Sequence, residues 1–319
     1  MNPSQPKEQG VFAISADKLT KRFGKFTAVN EISFEIPYGS IFGFLGANGA
    51  GKSTTIRMLC GILEPTSGNG KVGGFDVQTQ PEEIKGVIGY VSQRFSLYSD
   101  LNVIENLTFY GQIYGLEGAA LSNRIKEVLT LTGLDRFRDR LAGDLSGGWK
   151  QKLAIANAIL HKPKIIFLDE PTAGLDPLSR RAIWELLYQL AEEGASLFVT
   201  THYMEEAERC NTIAFISDGK ILKIGQPASL RQQLNGKILE VACHPLMKAS
   251  HLFVKLEGVR GVTVYGTTLN LNVTDEKAVE ARVLAAAGKE GVTISSIKPI
   301  AASLEDVFSD LAPGVKKDA

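Results

Sequence analysis

"SIFGFLGANGAGKST", residues 40–54, joins a short apolar run to a stretch with glycine at three of its nine positions. Gly46 to Thr54 match the pattern G-x-x-x-x-G-K-[ST], and residues 52–60 have the pattern of a helix. Glycines let the backbone wrap an anion, so that N–H groups point inward at a helix start whose dipole favours negative charge. A glycine-rich turn without a ligand is the alternative, but the position between strand and helix favours a phosphate-binding loop.

Two side chains of this loop are expected to act on phosphates directly. Lys52 is predicted to reach the β- and γ-phosphates, and the Ser53 hydroxyl is predicted to bind Mg²⁺. The rest of the loop is expected to surround the phosphates with its backbone. The candidate binding residues are therefore Gly46, Ala47, Asn48, Gly49, Ala50, Gly51, Lys52, Ser53 and Thr54.

Two adjacent carboxylates end a second apolar run, "IIFLDE", residues 165–170. Unpaired charge is costly beside a buried strand, so Asp169 and Glu170 require a cation or a proton. We predict that Asp169 approaches the metal through water and that Glu170 orients and deprotonates the attacking water. The alternative is that both acids cap the following turn.

Three further side chains are candidates because of where they stand in the sequence. Gln93 ends "GVIGYVSQ" and is expected to join the Mg²⁺ shell or its water, or else to be a plain polar strand end. His202 ends "LFVTTH" and is expected to form a hydrogen bond with the γ-phosphate, or else to have a structural role. Phe23 is a candidate for stacking on adenine, with Phe26 as a competitor and a buried loop aromatic as the alternative.

A second helix start suited to an anion lies in "LSGGWKQ", residues 145–151. Ser146, Gly147 and Gly148 offer a hydroxyl, free N–H groups and no obstructing side chain. Both phosphate-binding elements could grip one nucleotide within the chain, or the second could serve a nucleotide held by another copy. A serine N-cap with packing glycines is the structural alternative.

Composition narrows the class of protein. The 319 residues are 44% hydrophobic, with 35 basic and 35 acidic side chains, so the chain can form two domains and lacks the basic excess of a general nucleic-acid binder. Three scattered cysteines suit a reducing compartment. Neither a signal peptide nor an apolar run of about 18 residues is found, so a membrane connection is expected to require a partner.

The order of patterns predicts an α/β cassette followed by a smaller domain. Apolar runs alternate with helical patterns over 11–236, which indicates a mainly parallel sheet flanked by helices, and Asp176 before Pro177 predicts an N-cap. Residues 94–143 are predicted to form a helical subdomain. Residues 237–319, beyond a boundary near Gly236, have the order βαββαβ of a split βαβ α+β domain. Residues 1–10 are predicted to be a disordered lead.

Taken in order, five motifs resemble those of the ABC transporter ATPases. They are "GANGAGKST", "VSQ", "LSGGWKQ", "IIFLDEPTAGLD" and "TTH", which correspond to the Walker A, Q-loop, signature, Walker B with D-loop, and switch-histidine motifs over about residues 12–234. The resemblance implies the P-loop NTPase fold, ATP and Mg²⁺ as ligands, and ATPase activity. "SLYSDLNVIENL" and the C-terminal "SLEDVFSDL" further resemble cassettes of drug-efflux exporters.

The same resemblance implies two partners and a location. Two cassettes associate head to tail, so that Ser146, Gly147 and Gly148 close on the ATP of a second copy. An integral membrane permease subunit is the other expected partner, which would place the chain peripherally on the cytoplasmic face of the inner membrane; nucleic acid is not expected. The permease is expected to dock near five aromatics that could equally form the core of the helical subdomain: Phe95, Tyr98, Phe109, Tyr110 and Tyr114.

One position departs from the family pattern, and one other function stays open. Trp149 stands where the family usually has glutamine, so contacts made by that glutamine cannot be transferred, whereas the donors of residues 146–148 do not depend on it. The alternative function is a soluble ABC ATPase that acts on ribosomes or DNA. The single cassette and the absence of a heptad insertion favour transport over that alternative.

Overall fold

The computed structural model describes residues 12–234 and 236–311. The chain divides after Ile221 into two compact units. The lead predicted for residues 1–10 lies outside the described residues.

Strands and helices alternate along most of the described chain. The strands are β1 (Phe12–Phe23), β2 (Phe26–Pro37), β3 (Ile41–Leu45), β4 (Ser67–Val72), β5 (Phe75–Asp76), β6 (Ile88–Val91), β7 (Ile165–Asp169), β8 (Ser196–Thr201), β9 (Thr212–Ser217), β10 (Lys220–Gly225), β11 (Lys237–His244), β12 (Val259–Tyr265), β13 (Thr268–Val273) and β14 (Thr293–Ile300). The helices are α1 (Lys52–Leu59), α2 (Pro81–Val87), α3 (Val103–Ile113), α4 (Gly118–Thr132), α5 (Gly147–Ala158), α6 (Pro177–Glu192), α7 (Met204–Ala207), α8 (Pro227–Gln232), α9 (Leu246–Phe253), α10 (Glu276–Glu290) and α11 (Leu304–Leu311).

A six-stranded sheet in the order β10-β9-β3-β8-β7-β6 forms the centre of the cassette. β3 pairs in parallel with β8 and β9, and β7 pairs in parallel with β6 and β8. Every residue of β3, β7 and β8 is buried, as expected for parallel strands covered on both faces. The predicted parallel sheet is confirmed, and the carboxyl ends of β3, β7 and β8 meet at one edge.

A second, antiparallel sheet in the order β2-β1-β4-β5 was not expected from the strand–helix alternation. β1 and β2 form one long hairpin, paired from Phe12 with Pro37 to Phe23 with Phe26, so no helix separates them. Phe34 on β2 stacks against Phe42 on β3, with ring centroids 5.5 Å apart. This aromatic packing fixes β3, and with it the loop that follows β3.

Residues 94–143, which were predicted to form a helical subdomain, contain helices and turns. The described residues of this segment contain α3, α4 and short 3₁₀ turns, and no named strand lies between β6 and β7. Asn102 and Glu105 form a capping box at the start of α3, and Gly133 ends α4 in the left-handed conformation (φ 70°). Asp176 is confirmed as the N-cap of α6, since its Oδ1 accepts hydrogen bonds from the backbone of Leu178 (3.1 Å) and Ser179 (3.0 Å).

The C-terminal unit contains strands and helices in the order βαββαβ. β11, β12, β13 and β14 form an antiparallel sheet in the order β12-β13-β11-β14, and α9 and α10 pack on it around a core that contains Phe253. The unit begins before the boundary predicted near Gly236, because α8 packs against α11 and therefore belongs with the second unit.

Candidate nucleotide-hydrolysis site

The loop between β3 and α1 has a backbone that only glycine can adopt at key positions. Gly51 has φ 107°, and a Cβ there would lie 2.5 Å from the carbonyl oxygen of Ala28. A Cβ on Gly46 would lie 2.4 Å from the carbonyl oxygen of Ile216. The loop is therefore held tightly against its neighbours, and its N–H groups lead into α1 at Lys52.

The Lys52 ammonium lies over this loop. Its Nζ donates hydrogen bonds to the carbonyl oxygens of Gly46 (2.8 Å) and Ala47 (3.1 Å), and it lies 3.0 Å from Glu170 Oε1. The side chain is only 4% exposed, so this charge is held by fixed partners rather than by solvent. A phosphate bound in the loop would meet the same ammonium.

Asp169 gathers hydroxyl groups at the end of β7. Its Oδ1 accepts hydrogen bonds from Ser53 Oγ (3.2 Å) and Thr200 Oγ1 (2.7 Å). Carboxylate and hydroxyl oxygens are the ligands that Mg²⁺ prefers, so the Ser53–Asp169 pair has the right chemistry for that ion.

Glu170 lies close to two other side chains predicted for the site, the metal-binding candidate Gln93 and the catalytic candidate His202. Gln93 Nε2 donates to its Oε2 (3.3 Å), and Nδ1 of His202 lies 3.3 Å from the same oxygen. The Glu170 backbone is in the left-handed region (φ 49°), which is rare for a residue with a side chain and frequent at functional sites. The alternative of two turn caps is wrong, because the carboxylates bind side chains of the site instead of capping a turn.

Thr200 is a member of this cluster that was not among the residues predicted from the sequence. Its hydroxyl donates to Asp169 and accepts a hydrogen bond from the backbone N–H of Glu170 (2.9 Å). Asp169 and Thr200 are opposite each other in the β7–β8 register. The available signal was a hydroxyl residue two positions before His202 in a buried strand.

Phe23 and Phe26 face each other at the β1–β2 turn. Phe23 is 50% exposed and Phe26 is 64% exposed, which excludes the alternative of a buried loop aromatic. Both rings are open to a ligand, and Ala28, two residues after Phe26, lies against the phosphate loop. The two rings remain competing candidates for a base-stacking contact.

Ser146 is the N-cap residue of α5, but its hydroxyl makes no capping hydrogen bond within the described structure. It is exposed, as is Gly147, so the hydroxyl and first N–H groups are available to an external anion. Gly148 has a packing role, because a Cβ there would lie 2.5 Å from Ser179 Oγ. The structural alternative is thus right about Gly148 and wrong about a capping bond from Ser146.

Trp149 lies between two cations beside this helix start. The Arg136 guanidinium and the Lys152 ammonium each lie 4.7 Å from its ring centroid, and Phe137 packs at 4.7 Å. Burial, followed by the nearby Arg136 charge, lowers the pKa of Lys152. Trp149 therefore fastens the start of α5 to the segment that contains Arg136 and Phe137.

We expect Trp149→Gln, which installs the residue usual in the family, to lower the free energy of unfolding by about 1–2 kcal/mol, because cation–π contacts contribute about 0.5–1 kcal/mol each. Nucleotide binding should change little, since residues 146–148 keep their donors. Urea unfolding and titration with a fluorescent ATP analogue measure the two effects. Trp149→Phe is the control that keeps an aromatic ring; a large loss of affinity in Trp149→Gln alone would contradict this separation.

The five aromatics considered for partner docking differ in exposure and in their contacts. Phe95, Tyr98 and Phe109 are 43%, 47% and 37% exposed. Tyr114 instead is half-buried and stacks on His161, with ring centroids 3.7 Å apart. The remaining ring, Tyr110, contacts both Tyr98 and Phe109.

The His161 imidazole should make stability depend on pH. Burial lowers its pKa below the ordinary value of 6.5, so the ring is neutral when folded and gains a proton on unfolding. We therefore expect the free energy of unfolding to fall as pH drops below about 6.5 towards the folded pKa. The fall should be smaller in His161→Gln, measured by urea unfolding from pH 7.5 to 5.5, than in the exposed control His251→Gln. Equal slopes in both variants would contradict it.

Comparisons with known proteins agree with this geometry. Residues 29–173 match the ABC transporter family, and residues 225–312 match the family described as "ATP-binding protein DrrA1-3-like, C-terminal domain". Among solved structures, cbiO1 of Clostridium perfringens, titled as part of the ABC transporter complex cbiONQ, aligns with a TM-score of 0.65 at 27% identity over 70% of this chain and 92% of its own. A post-hydrolysis dimer of the cassette MJ0796 with ADP and Pi aligns with a TM-score of 0.61 at 27% identity, over 67% and 98% of the two chains.

Two curated relatives match more than 90% of this chain, and a third matches 70% of it. The linearmycin resistance ATP-binding protein LnrL of Bacillus subtilis (strain 168) is 37% identical over 96% of this chain and 100% of LnrL. The daunorubicin/doxorubicin resistance ATP-binding protein DrrA of Streptomyces peucetius is 34% identical over 93% and 91%. The probable multidrug ABC transporter ATP-binding protein YbhF of Escherichia coli (strain K12) is 43% identical over 70% of this chain, and the match spans 39% of YbhF.

Fold, motif order and full-length relatives agree. The chain belongs to the ATP-binding subunits of ABC transporters, a family of ATPases whose activity is coupled to transport.

Proposed function

We propose that this chain binds ATP with Mg²⁺ in the loop of residues 46–54 and hydrolyses it to drive export through a separate membrane subunit. The main support is the convergence of Lys52, Gln93 and His202 on the Glu170 carboxylate, each within 3.3 Å. A carboxylate held this way, beside a loop shaped for phosphates, suits a general base for water.

Each side chain has a distinct task in this proposal. Lys52 and the loop N–H groups bind the phosphates, while Ser53, Asp169 and Gln93 would hold Mg²⁺, which would neutralise charge on the phosphate oxygens. Glu170 orients the attacking water and accepts its proton, and His202 donates a hydrogen bond towards the γ-phosphate. Lys52 must leave Glu170 in part as phosphate enters, which frees the carboxylate for water.

A second copy completes the site in this proposal. The unused hydroxyl of Ser146 and the open N–H groups of Gly147 and Gly148 are suited to a γ-phosphate held by the partner copy. The similarity to a dimeric cassette structure with ADP and Pi supports this arrangement. Closure of the dimer on ATP and its opening after hydrolysis would then drive the conformational change used for transport, because the γ-phosphate binds the closed state better.

An integral membrane permease is the proposed partner to which this conformational change is transmitted. LnrL and DrrA are named for resistance to linearmycin and to daunorubicin/doxorubicin, which supports a role in export for this chain as well. Within the described ranges, no helix is long and apolar enough to cross a bilayer. We place the chain peripherally on the cytoplasmic face of the inner membrane, docked through Phe95, Tyr98 and Phe109. No observation favours the ribosome- or DNA-associated alternative.

The decisive experiment is co-purification of the chain from membranes, followed by measurement of ATP turnover in the complex. We expect a multi-helix membrane protein to co-purify, and photo-crosslinkers at positions 98 and 109 to label it. Labelling confined to crosslinkers within 237–311 would overturn the docking surface. A complex without ATP turnover above that of Glu170→Gln would overturn the ATPase assignment for this chain.

A further inference from the structure

Glu206 is a buried carboxylate that the proposed mechanism does not use. It lies in α7 and is 1% exposed. Its Oε2 accepts a hydrogen bond from Thr201 Oγ1 (2.6 Å), and its Oε1 accepts one from Thr172 Oγ1. Arg180 Nε lies 3.6 Å from Oε1, an ion pair too long to be a hydrogen bond.

The hydroxyl partners of Glu206 flank the two residues proposed for hydrolysis. Thr172 follows Glu170 by two positions, and Thr201 immediately precedes His202. Thr201 Oγ1 also accepts a hydrogen bond from the backbone N–H of Tyr203 (3.0 Å). The Glu206 carboxylate therefore holds both the segment that follows Glu170 and the segment that contains His202.

Arg180 extends this network to the imidazole itself. Its guanidinium carbon lies 4.3 Å from the Tyr203 ring centroid, and the Tyr203 ring lies 4.1 Å from that of His202. His202 Nδ1 lies 3.3 Å from Glu170 Oε2 but makes no hydrogen bond in the described structure, so packing against Tyr203 contributes to placing the ring. Glu206 therefore reaches His202 through contiguous contacts.

The segment of residues 172–180 also contacts α5, called here the signature helix because it begins in the motif "LSGGWKQ". A Cβ on Gly147 would meet Leu175 Cδ2 at 3.3 Å, and a Cβ on Gly148 would meet Ser179 Oγ at 2.5 Å. Residues at both ends of this segment, Thr172 and Arg180, are tied to Glu206. The segment therefore links the start of α5 to the surroundings of His202 within one chain.

We propose that Glu206 is a positioning residue that sets the His202 ring relative to Glu170 and ties that geometry to the signature helix. A buried ion pair adds little net stability compared with apolar packing, so stability alone does not account for a carboxylate here. A pure packing role would need only volume. The Glu206 carboxylate forms an ion pair with Arg180 and accepts a hydrogen bond from each of Thr172 and Thr201. These directional contacts fix the orientation of the segments that carry these residues. This inference rests on the proposed function for its catalytic consequence.

The test is Glu206→Gln, which keeps the volume but removes the charge that faces Arg180, with exposed Glu205→Gln on the same helix as control. In ¹H–¹³C spectra of the full chain, we expect the His202 ring signals to move while those of His161, His244 and His251 stay. In the membrane complex, we expect kcat for ATP to fall about 10- to 100-fold, as misplacement of a reacting group does, with KM within about twofold.

Two further variants keep the test decisive if Glu206→Gln is unstable. Thr172→Val and Arg180→Lys each remove one contact, and each should move the His202 signals in the same direction. In a His202→Ala background, Glu206→Gln should lower kcat by less than about twofold, because it acts through the missing ring. Unmoved His202 signals in all three variants would overturn the proposal. Absence of turnover in the wild-type complex would instead overturn the proposed function, and the spectra would still decide the role of Glu206.

Discussion

Glu170→Gln should lower ATP turnover of the assembled complex by about 10²- to 10⁴-fold, the contribution typical of a positioned general base. A carboxamide keeps the shape of the side chain and an oxygen for Lys52, but it cannot accept a proton from water. Binding of ATP should persist, because the loop of residues 46–54 is unchanged. Phosphate release under saturating ATP measures the loss, and a fluorescent ATP analogue measures affinity.

The exposed Glu64→Gln is the matched control and should keep wild-type turnover. Two outcomes would contradict the role given to Glu170. Turnover within about tenfold of wild type would mean that another group accepts the proton. Loss of affinity together with turnover would mean that the carboxylate acts mainly by holding Lys52, whose Nζ lies 3.0 Å away.

The geometry of the loop at residues 46–54 and the position of the two acids are encoded locally in the sequence. Gly46 and Gly51 are required by close backbone approach, and the positive φ of Gly51 excludes most other residues. Asp169 and Glu170 follow a buried run whose strand character is plain in the sequence. Short-range rules are sufficient for such features, since each depends on neighbours along the chain.

Contacts between strands and helices could not be predicted from the sequence. The bond from Thr200 to Asp169 depends on the register of β7 with β8, and the Glu206 contacts depend on how α6 and α7 pack. The β1–β2 hairpin was missed because two long adjacent strands in one apolar, alternating stretch do not follow the strand–helix rhythm. Contacts between side chains from distant segments can be identified only from the three-dimensional structure.

Trp149 shows how a departure from a family pattern can still be explained locally. The sequence identified the position but offered no partner for the indole. The structure supplies Arg136, Phe137 and Lys152, which lie around the ring. The departure therefore concerns the anchoring of α5 and leaves the donors of residues 146–148 free.

The second large effect expected is on dimer closure. In a Glu170→Gln background with saturating ATP, Ser146→Arg should prevent formation of the dimer. About three charge-assisted hydrogen bonds at each of two sites, at roughly 1.5–3 kcal/mol each, total about 9–18 kcal/mol. Association costs roughly 4–15 kcal/mol, so removal of these bonds leaves nothing to offset it. A long side chain at an exposed helix start blocks the phosphate without disturbing the core.

Size-exclusion chromatography with light scattering, with and without ATP, measures the result. Ser146→Ala should weaken the dimer without abolishing it, because the N–H groups of Gly147 and Gly148 remain. Ser122→Arg, on the exposed face of α4, adds the same bulk and charge elsewhere and should leave the dimer intact. The binding of ATP to each chain should be equal in all variants, because the loop of residues 46–54 is untouched. If Ser146→Arg formed the ATP-dependent dimer to the same extent as the Glu170→Gln parent, the start of α5 at Ser146 would not face the partner's γ-phosphate.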